Sequence, residues 1–264
     1  MQGLARYPVK SMQGESVTAA HVDERGLRGD RALAVVDQAT GTVASAKQPR
    51  LWRALLTAQA RQSDGEVRIT LPGRADLSAG DPEVHQRLSH FLGRPVALSG
   101  DPTAGTDIER ADPDEVLAYG ADSVVSAPRL TLGGAVPGAT FLDYAPLHLM
   151  TTATLERIGN EVRRYRPNVV IRTPSGVAPF VENGWVGQTL TFGDVVLRVV
   201  LPTPRCAVPI LAHGSLPPDP AALRVLMSLN RIAVPGFGVL PAAGVYATVE
   251  RGGRLEVGGA VMLG

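Results

Sequence analysis

A single cysteine, Cys206, stands in 264 residues. No disulfide can close within the chain, and no all-cysteine zinc or iron–sulfur site can be built from it. Lysine is almost missing as well: of 26 basic side chains only Lys10 and Lys47 are lysine, the rest being arginine. Neither sign of charge is in surplus, since 25 acidic residues leave a net charge of +1. A general nucleic-acid binder needs a basic excess to track phosphates, so no nucleic-acid partner is expected. No stretch approaches the roughly 20 apolar residues of a membrane span. The opening MQGLARYPVKS lacks the apolar core of a secretory leader. A cytoplasmic protein with no membrane partner is the expectation.

Glycine and proline, at 29 and 21 residues, cut the chain into short pieces, many of them β-branched or alternating. In the first third, SVTAAHV (16–22), RALAVVD (31–37), RALLTAQA (53–60) and VRITL (67–71) read as strands. DPEVHQRLSHFL (81–92) reads as a helix, with Asp81 as N-cap, Pro82 at the first helical position and Gly93 closing it. The polar stretch from about 100 to 122 has no sustained period and reads as a linker. Beyond it, TTATLERIG (151–159) predicts a short helix capped by threonine. NVVIR (168–172), TLTFGDVVLRVVLP (189–202), GVYATVE (244–250) and RLEVGGAVML (254–263) predict strands, with RGG (251–253) as a hairpin turn. A last helix is predicted over 219–232. The pattern is mainly β (α+β): two β-barrel-like units with a few short helices, over 1–122 and 123–264.

Familiar catalytic motifs drop out. There is no phosphate-cradling G-x-x-x-x-G-K-[ST], no nucleophile elbow, and GFGVLP (236–241) lacks the third glycine of a dinucleotide fingerprint. His85 and His90 fall on different helix faces, which argues against a zinc pair, and each histidine reads as a surface or satisfied core residue. What remains is a set of polar residues at strand ends and turns: Lys10 and Ser11 in YPVKS, Arg31 in GLRGDR, Thr151 and Thr152 at a helix start, Arg166 and Asn168 in YRPN, and Arg205 with Cys206 in TPRCAVP. Singly, each suits a cap, a turn or a solvated charge. Together they would line a pocket for a large anionic ligand with a thiolate at one end. Two readings of Cys206 stay open: a small buried hydrophobe, or a ligand or nucleophile whose thiolate the neighbouring Arg205 favours.

Taken in order, YPVKSMQGESVTAAHVDERGLRGDRALAVVD, QPRL (48–51), HLMTTATLERI, RYRPNVVI, PFVENGWVGQTLTFGDVVLRVVLPTPRCAV and GVYATVERGGRLEVGGAVML resemble the MOSC family, named for the molybdenum cofactor sulfurase C-terminal domain. The likeness is to its two-part form, with an N-terminal barrel before the MOSC domain. It implies a molybdenum cofactor (molybdenum on molybdopterin, or tungsten on the same pterin) between the units, or no cofactor in a relative that has lost it. Cys206 would be the metal ligand and catalytic centre. Lys10, Ser11, Arg31, Thr151, Arg166, Asn168, Arg205 and Tyr246 would be cofactor contacts, with Thr152 from the same capping position; Arg166 and Asn168 would give the flat pterin paired hydrogen bonds. The implied activity is an oxidoreductase reducing N-hydroxylated small molecules, hydroxylamines or amidoximes. No ferredoxin-like extension follows, so electrons would come from a separate donor protein: a flavin reductase, a ferredoxin or a b-type cytochrome. The alternative within the family is a non-catalytic carrier delivering the cofactor or a persulfide to another enzyme. Two departures stand out: Pro204 replaces a hydroxyl residue of some relatives, and AVPILAHGSLPPDP lacks the paired threonines after the cysteine.

Overall fold

In VVLRVVLPTP, residues 195, 197, 199 and 201 are buried and those between them are half-buried, which is the pattern of a strand with one face on a core. Val195–Pro204 pairs with Thr189–Phe192 on one side and with the long strand Gly238–Arg251 on the other. The computed structural model describes residues 1–159 and 161–264. Its largest sheet runs in the order Met262–Leu263, Thr189–Phe192, Val195–Pro204, Gly238–Arg251, Leu147–Thr151, Val169–Ile171, Gly3–Arg6, Glu15–Ser16, with Arg231–Val234 added to Gly238–Arg251. The chain is mainly β, with six short α-helices among the described residues.

The two halves share their sheets. Gly3–Arg6 lies antiparallel to Val169–Ile171, and Gly253–Glu256 pairs with Ala19–Asp23. One apolar core gathers Leu4, Val22 and Leu27 with Leu147, Val169, Leu197 and Val245. A second, from the first hundred residues, packs Val9, Met12, Trp52, Leu55, Ile69 and Leu88. A third joins Ala46 and Leu56 of the first half to Cys206, Val208, Ile210 and Leu223 of the second. Cys206 therefore sits where the halves meet.

Most expected elements form, and the exceptions have local causes. RALLTAQA is not one strand: Arg53–Thr57 is a 3-10 turn, and the strand is Gln59–Ser63. Leu55 and Leu56 are both fully buried, which a period of two cannot arrange on one face. The stretch read as a linker holds the strand Asp107–Glu109, paired with Arg129–Thr131, and the helix Pro113–Tyr119. That helix begins on Asp112, whose carboxylate accepts from the amides of Asp114 and Glu115. RGG makes no hairpin, because Gly253–Glu256 pairs elsewhere. At Gly252 the backbone passes so close to Val22 that a Cβ would lie 2.6 Å from its carbonyl oxygen. The helix expected over 219–232 spans Ala221–Leu229, and Arg231–Val234 is a strand. The 81–92 helix forms as Val84–Leu92, with Asp81 accepting from the Glu83 amide and Gly93 left-handed at its end.

Thr151 caps the helix Thr152–Ile158 through a hydrogen bond from the Thr154 amide. Both threonine hydroxyls donate to the fully buried Glu182 at 2.8 Å, and the Thr151 amide donates to it at 3.3 Å. Glu182→Gln would turn one acceptor into a donor facing donors. The expected cost is about 2 kcal/mol, a fall of roughly 4–8 °C in melting temperature. A thermal melt unchanged within a degree would contradict the capping role.

Candidate functional site

Five non-glycine residues among the described residues have a positive φ: Ser11 at 66°, Arg31 at 44°, Asp64 at 53°, Arg166 at 56° and Phe180 at 62°. Three of these, Ser11, Arg31 and Arg166, line one cleft between the halves. Side chains other than glycine resist this conformation, and strain of this kind gathers at binding sites. The cleft is partly open to solvent.

Each wall residue is delivered by a local device. Lys10 and Ser11 sit in a turn after Gly3–Arg6, held by the Lys10 amide on Leu33 O. Arg31 follows Asp30, whose carboxylate accepts from the Tyr7 amide at 2.7 Å, while the Arg31 amide donates to Tyr7 O. Arg166 ends the one-turn helix Val162–Tyr165 in the left-handed region, where glycine is the usual residue. Arg205 and Cys206 leave Val195–Pro204 past two prolines placed at register shifts, which let the chain quit the ladder. The Arg205 amide still donates to Pro241 O at 2.8 Å.

Of the ten residues proposed from the sequence, eight line this cleft: Lys10, Ser11, Arg31, Arg166, Asn168, Arg205, Cys206 and Tyr246. Thr151 and Thr152 do not, their hydroxyls being spent on Glu182, Thr154 and Thr173. Cys206 is 7% exposed, with aliphatic neighbours on one side and the cationic cleft on the other. Asn168 plays a role the sequence did not suggest. Its amide nitrogen donates to Ala5 O and Asp30, and its oxygen accepts from the His148 amide and from Arg31. All four of its hydrogen-bonding positions are taken, so it orders the wall and has none left for the paired contacts expected with Arg166.

Sequence reasoning missed Lys47, Asp143, His148 and Tyr165 in the wall, and Tyr7 and Asp30 behind it. Tyr7 carries two guanidinium groups, with Arg31 at 4.5 Å and Arg166 at 4.3 Å from its ring centroid. Its hydroxyl donates to Pro167 O. The signal for Tyr7 and Asp30 was their place inside YPVKS and GDR; for Lys47 it was the rarity of lysine.

Five cations, Lys10, Arg31, Lys47, Arg166 and Arg205, face the cleft against one carboxylate, Asp143. Burial pushes Arg166 down to about 10 and Lys10 to about 8, the latter against the pull of Asp143. Burial alone would raise Asp143, but Lys10 and Lys47 outweigh it and hold its carboxyl below the usual range. His148 is pushed down to about 3 by burial and then by Arg205, so it is neutral, with Nε2 on Ala243 O. Burial raises the Tyr246 phenol. Two buried guanidinium nitrogens of the cleft, Arg166 Nη1 and Arg205 Nε, have no protein partner among the described residues. A buried donor left unpaired costs about 1–3 kcal/mol, so these two fit an acceptor-rich or anionic ligand. No group of three or more His, Cys, Asp or Glu able to hold a metal exists among the described residues. A metal on Cys206 would need its other ligands from a bound molecule.

Two family models match the chain: the MOSC N-terminal beta barrel domain over residues 1–107 and the MOSC domain over residues 139–262. Among curated proteins, it is 25% identical over 280 residues to mitochondrial amidoxime reducing component 2 of Rattus norvegicus, covering 96% of this chain and 79% of that one. It is also 25% identical over 287 residues to mitochondrial amidoxime-reducing component 1 of Homo sapiens, covering 97% and 80%. Among solved structures, the YUAD protein from Bacillus subtilis aligns with a TM-score of 0.43 at 9% identity, over 99% of this chain and 93% of that one.

Proposed function

We propose, from the premise that this chain belongs to the MOSC family, that its cleft holds a pterin-bound molybdenum cofactor and that the protein reduces N-hydroxylated small molecules. The observation that carries this reading is the convergence of Lys10, Arg31, Arg166, Arg205 and Cys206, from four distant stretches, on one cationic cleft containing two unpartnered guanidinium N–H groups. The names of the amidoxime-reducing relatives supply the reaction class.

Cys206 offers a soft sulfur ligand suited to a covalent molybdenum bond, and the residue is almost wholly buried. A carrier passing a persulfide to another enzyme would need an accessible sulfur, so burial favours the ligand role. Arg166 Nη1 and Arg205 Nε are free to donate to the pterin's acceptors, and Lys10 and Lys47, both paired with Asp143, stand at the side of the cleft suited to a phosphate. Asn168, Asp30 and Tyr7 fix Arg31 and Arg166, and Arg205 donates to Tyr165 O, so little ordering is left to do on binding. When bound, the cofactor supplies the two-electron exchange that breaks the N–O bond. The balance is R–NH–OH plus two electrons and two protons, giving R–NH2 and water. A separate one-electron donor protein supplies the electrons.

The test is turnover of a model amidoxime by the loaded protein with a chemical reductant. Steady formation of the amidine supports the reading. A loaded, folded protein that leaves both amidoximes and hydroxylamines untouched overturns it.

A further inference from the structure

Both lysines of the chain reach the same carboxylate. Lys10 Nζ lies 2.5 Å from Asp143 Oδ1, and Lys47 Nζ lies 3.1 Å from Asp143 Oδ2. All three residues line the cleft. The lysine side chains are 5% and 17% exposed and that of Asp143 is 33%, so the carboxylate is the outermost of the three. A chain that uses arginine for nearly all of its cations has lysine at the two positions that share this anion.

The two ends of the cleft differ in kind. Arg166 and Arg205 keep unpartnered nitrogens, and among the described residues neither makes a salt bridge with an acid. At the lysine end the donors already hold an anion, the chain's own. Asp143 is not there by the wandering of a free loop: the Gly133 amide donates to Leu142 O and Asp143 O, and the Ala135 amide donates to Tyr144 O. An ammonium group has three rotatable donors and exchanges partners without the fixed geometry of a guanidinium fork. Lys10 keeps a second anchor on Phe141 O at 2.8 Å while it does so.

We propose that Asp143 is a built-in counter-anion: it occupies the place on Lys10 and Lys47 that an anionic group of the ligand takes on binding, and so limits how much negative charge the cleft accepts. The inference rests on the reading that this cleft receives an anionic ligand, and it adds the residue that competes with that ligand. Both lysines hold Asp143 ionised, so it is a resident charge at neutral pH. Its removal leaves two ammonium groups facing the cleft with no acid between them.

The probes are inorganic phosphate and pyrophosphate, titrated by calorimetry at fixed ionic strength into the full chain produced in cells that make no molybdopterin. Asp143→Asn is expected to bind pyrophosphate about tenfold or more tighter than the wild type, with a smaller gain for phosphate, as follows from removing one like charge at close range. Lys10→Met in that background should return the affinity to the wild-type value. Asp143→Ser should reproduce the gain by a different side chain. Equal or weaker binding by Asp143→Asn overturns the proposal, since the carboxylate would then be ordering the lysines for the ligand. Loss of the fold in both variants overturns it too, because Asp143 would be a structural ion pair. Molybdenum content of the wild type judges the cofactor separately: a tenfold gain in a chain that never carries the metal keeps the counter-anion and removes the cofactor reading.

Discussion

Replacing Cys206 by serine or by alanine is expected to lower amidoxime reduction by about a thousandfold or more, the scale of losing a group that touches the reacting centre. The pair of variants matters because Cys206 has two kinds of neighbour. On one side it packs with Ala46, Leu56, Val208 and Leu223; on the other it faces the cations of the cleft. As a space-filler, Cys206→Ala would lose a little packing, about 1 kcal/mol, and keep its activity. Serine, with a hydroxyl among aliphatic groups, would then be the more damaging change. As a metal ligand, the sulfur is irreplaceable by either residue, and alanine should abolish turnover in a protein that melts close to the wild type. Activity surviving in Cys206→Ala defeats the ligand role.

Arg166→Gly is expected to separate stability from function. Arg166 stands at φ 56° and ψ 44° after Val162–Tyr165, a backbone state that costs a non-glycine residue about 1–2 kcal/mol. The residue is 9% exposed, and its guanidinium carries a nitrogen with no partner and is pushed down to about 10 by burial. Glycine relieves both penalties. Against that, it forfeits the contact with Tyr7 at 4.3 Å and adds roughly 0.5–1 kcal/mol of unfolded-state entropy. The expected balance is a melting temperature unchanged or a few degrees higher. Retention of cofactor, or affinity for pyrophosphate in the cofactor-free chain, should fall about a hundredfold, as suits loss of a charge-assisted donor. A clear drop in melting temperature with unchanged ligand affinity would show that Arg166 serves the fold. Strain kept at a charged residue is what a binding site requires and a structural cap does not.

Local grammar made much of the fold legible. The Asp-Pro start and glycine end bracket Val84–Leu92, the alternation of VVLRVV marks its strand, and Thr151 is the cap that its position before TATLERI implies. The same grammar was present at Asp112-Pro113, yet the polar composition around it hid a helix that only Val116 and its neighbours tie to the core. Tertiary demands decided the rest. Two adjacent buried leucines turned a supposed strand into a 3-10 turn, and close passage at Gly252 turned a supposed hairpin into a corner between sheets. For the site, motif residues marked most of the wall because turns and strand ends are where a fold can aim side chains inward. Asp143 carried no local signal and Lys47 only the rarity of its residue type, since their meaning lies in each other and in Lys10, which only the folded chain brings together. Asn168 shows the reverse limit. Its identity as a site residue was readable, while its commitment to four internal hydrogen bonds was not.

The central claim is that Cys206 and the cations around it hold a metal-bearing pterin. Its most direct measurement is the molybdenum and pterin content of the full chain purified, folded, from cells that load other molybdenum enzymes. Stoichiometric molybdenum with equimolar pterin, the metal lost in Cys206→Ala, is the expected result. Folded wild-type protein carrying neither metal nor pterin would contradict the account.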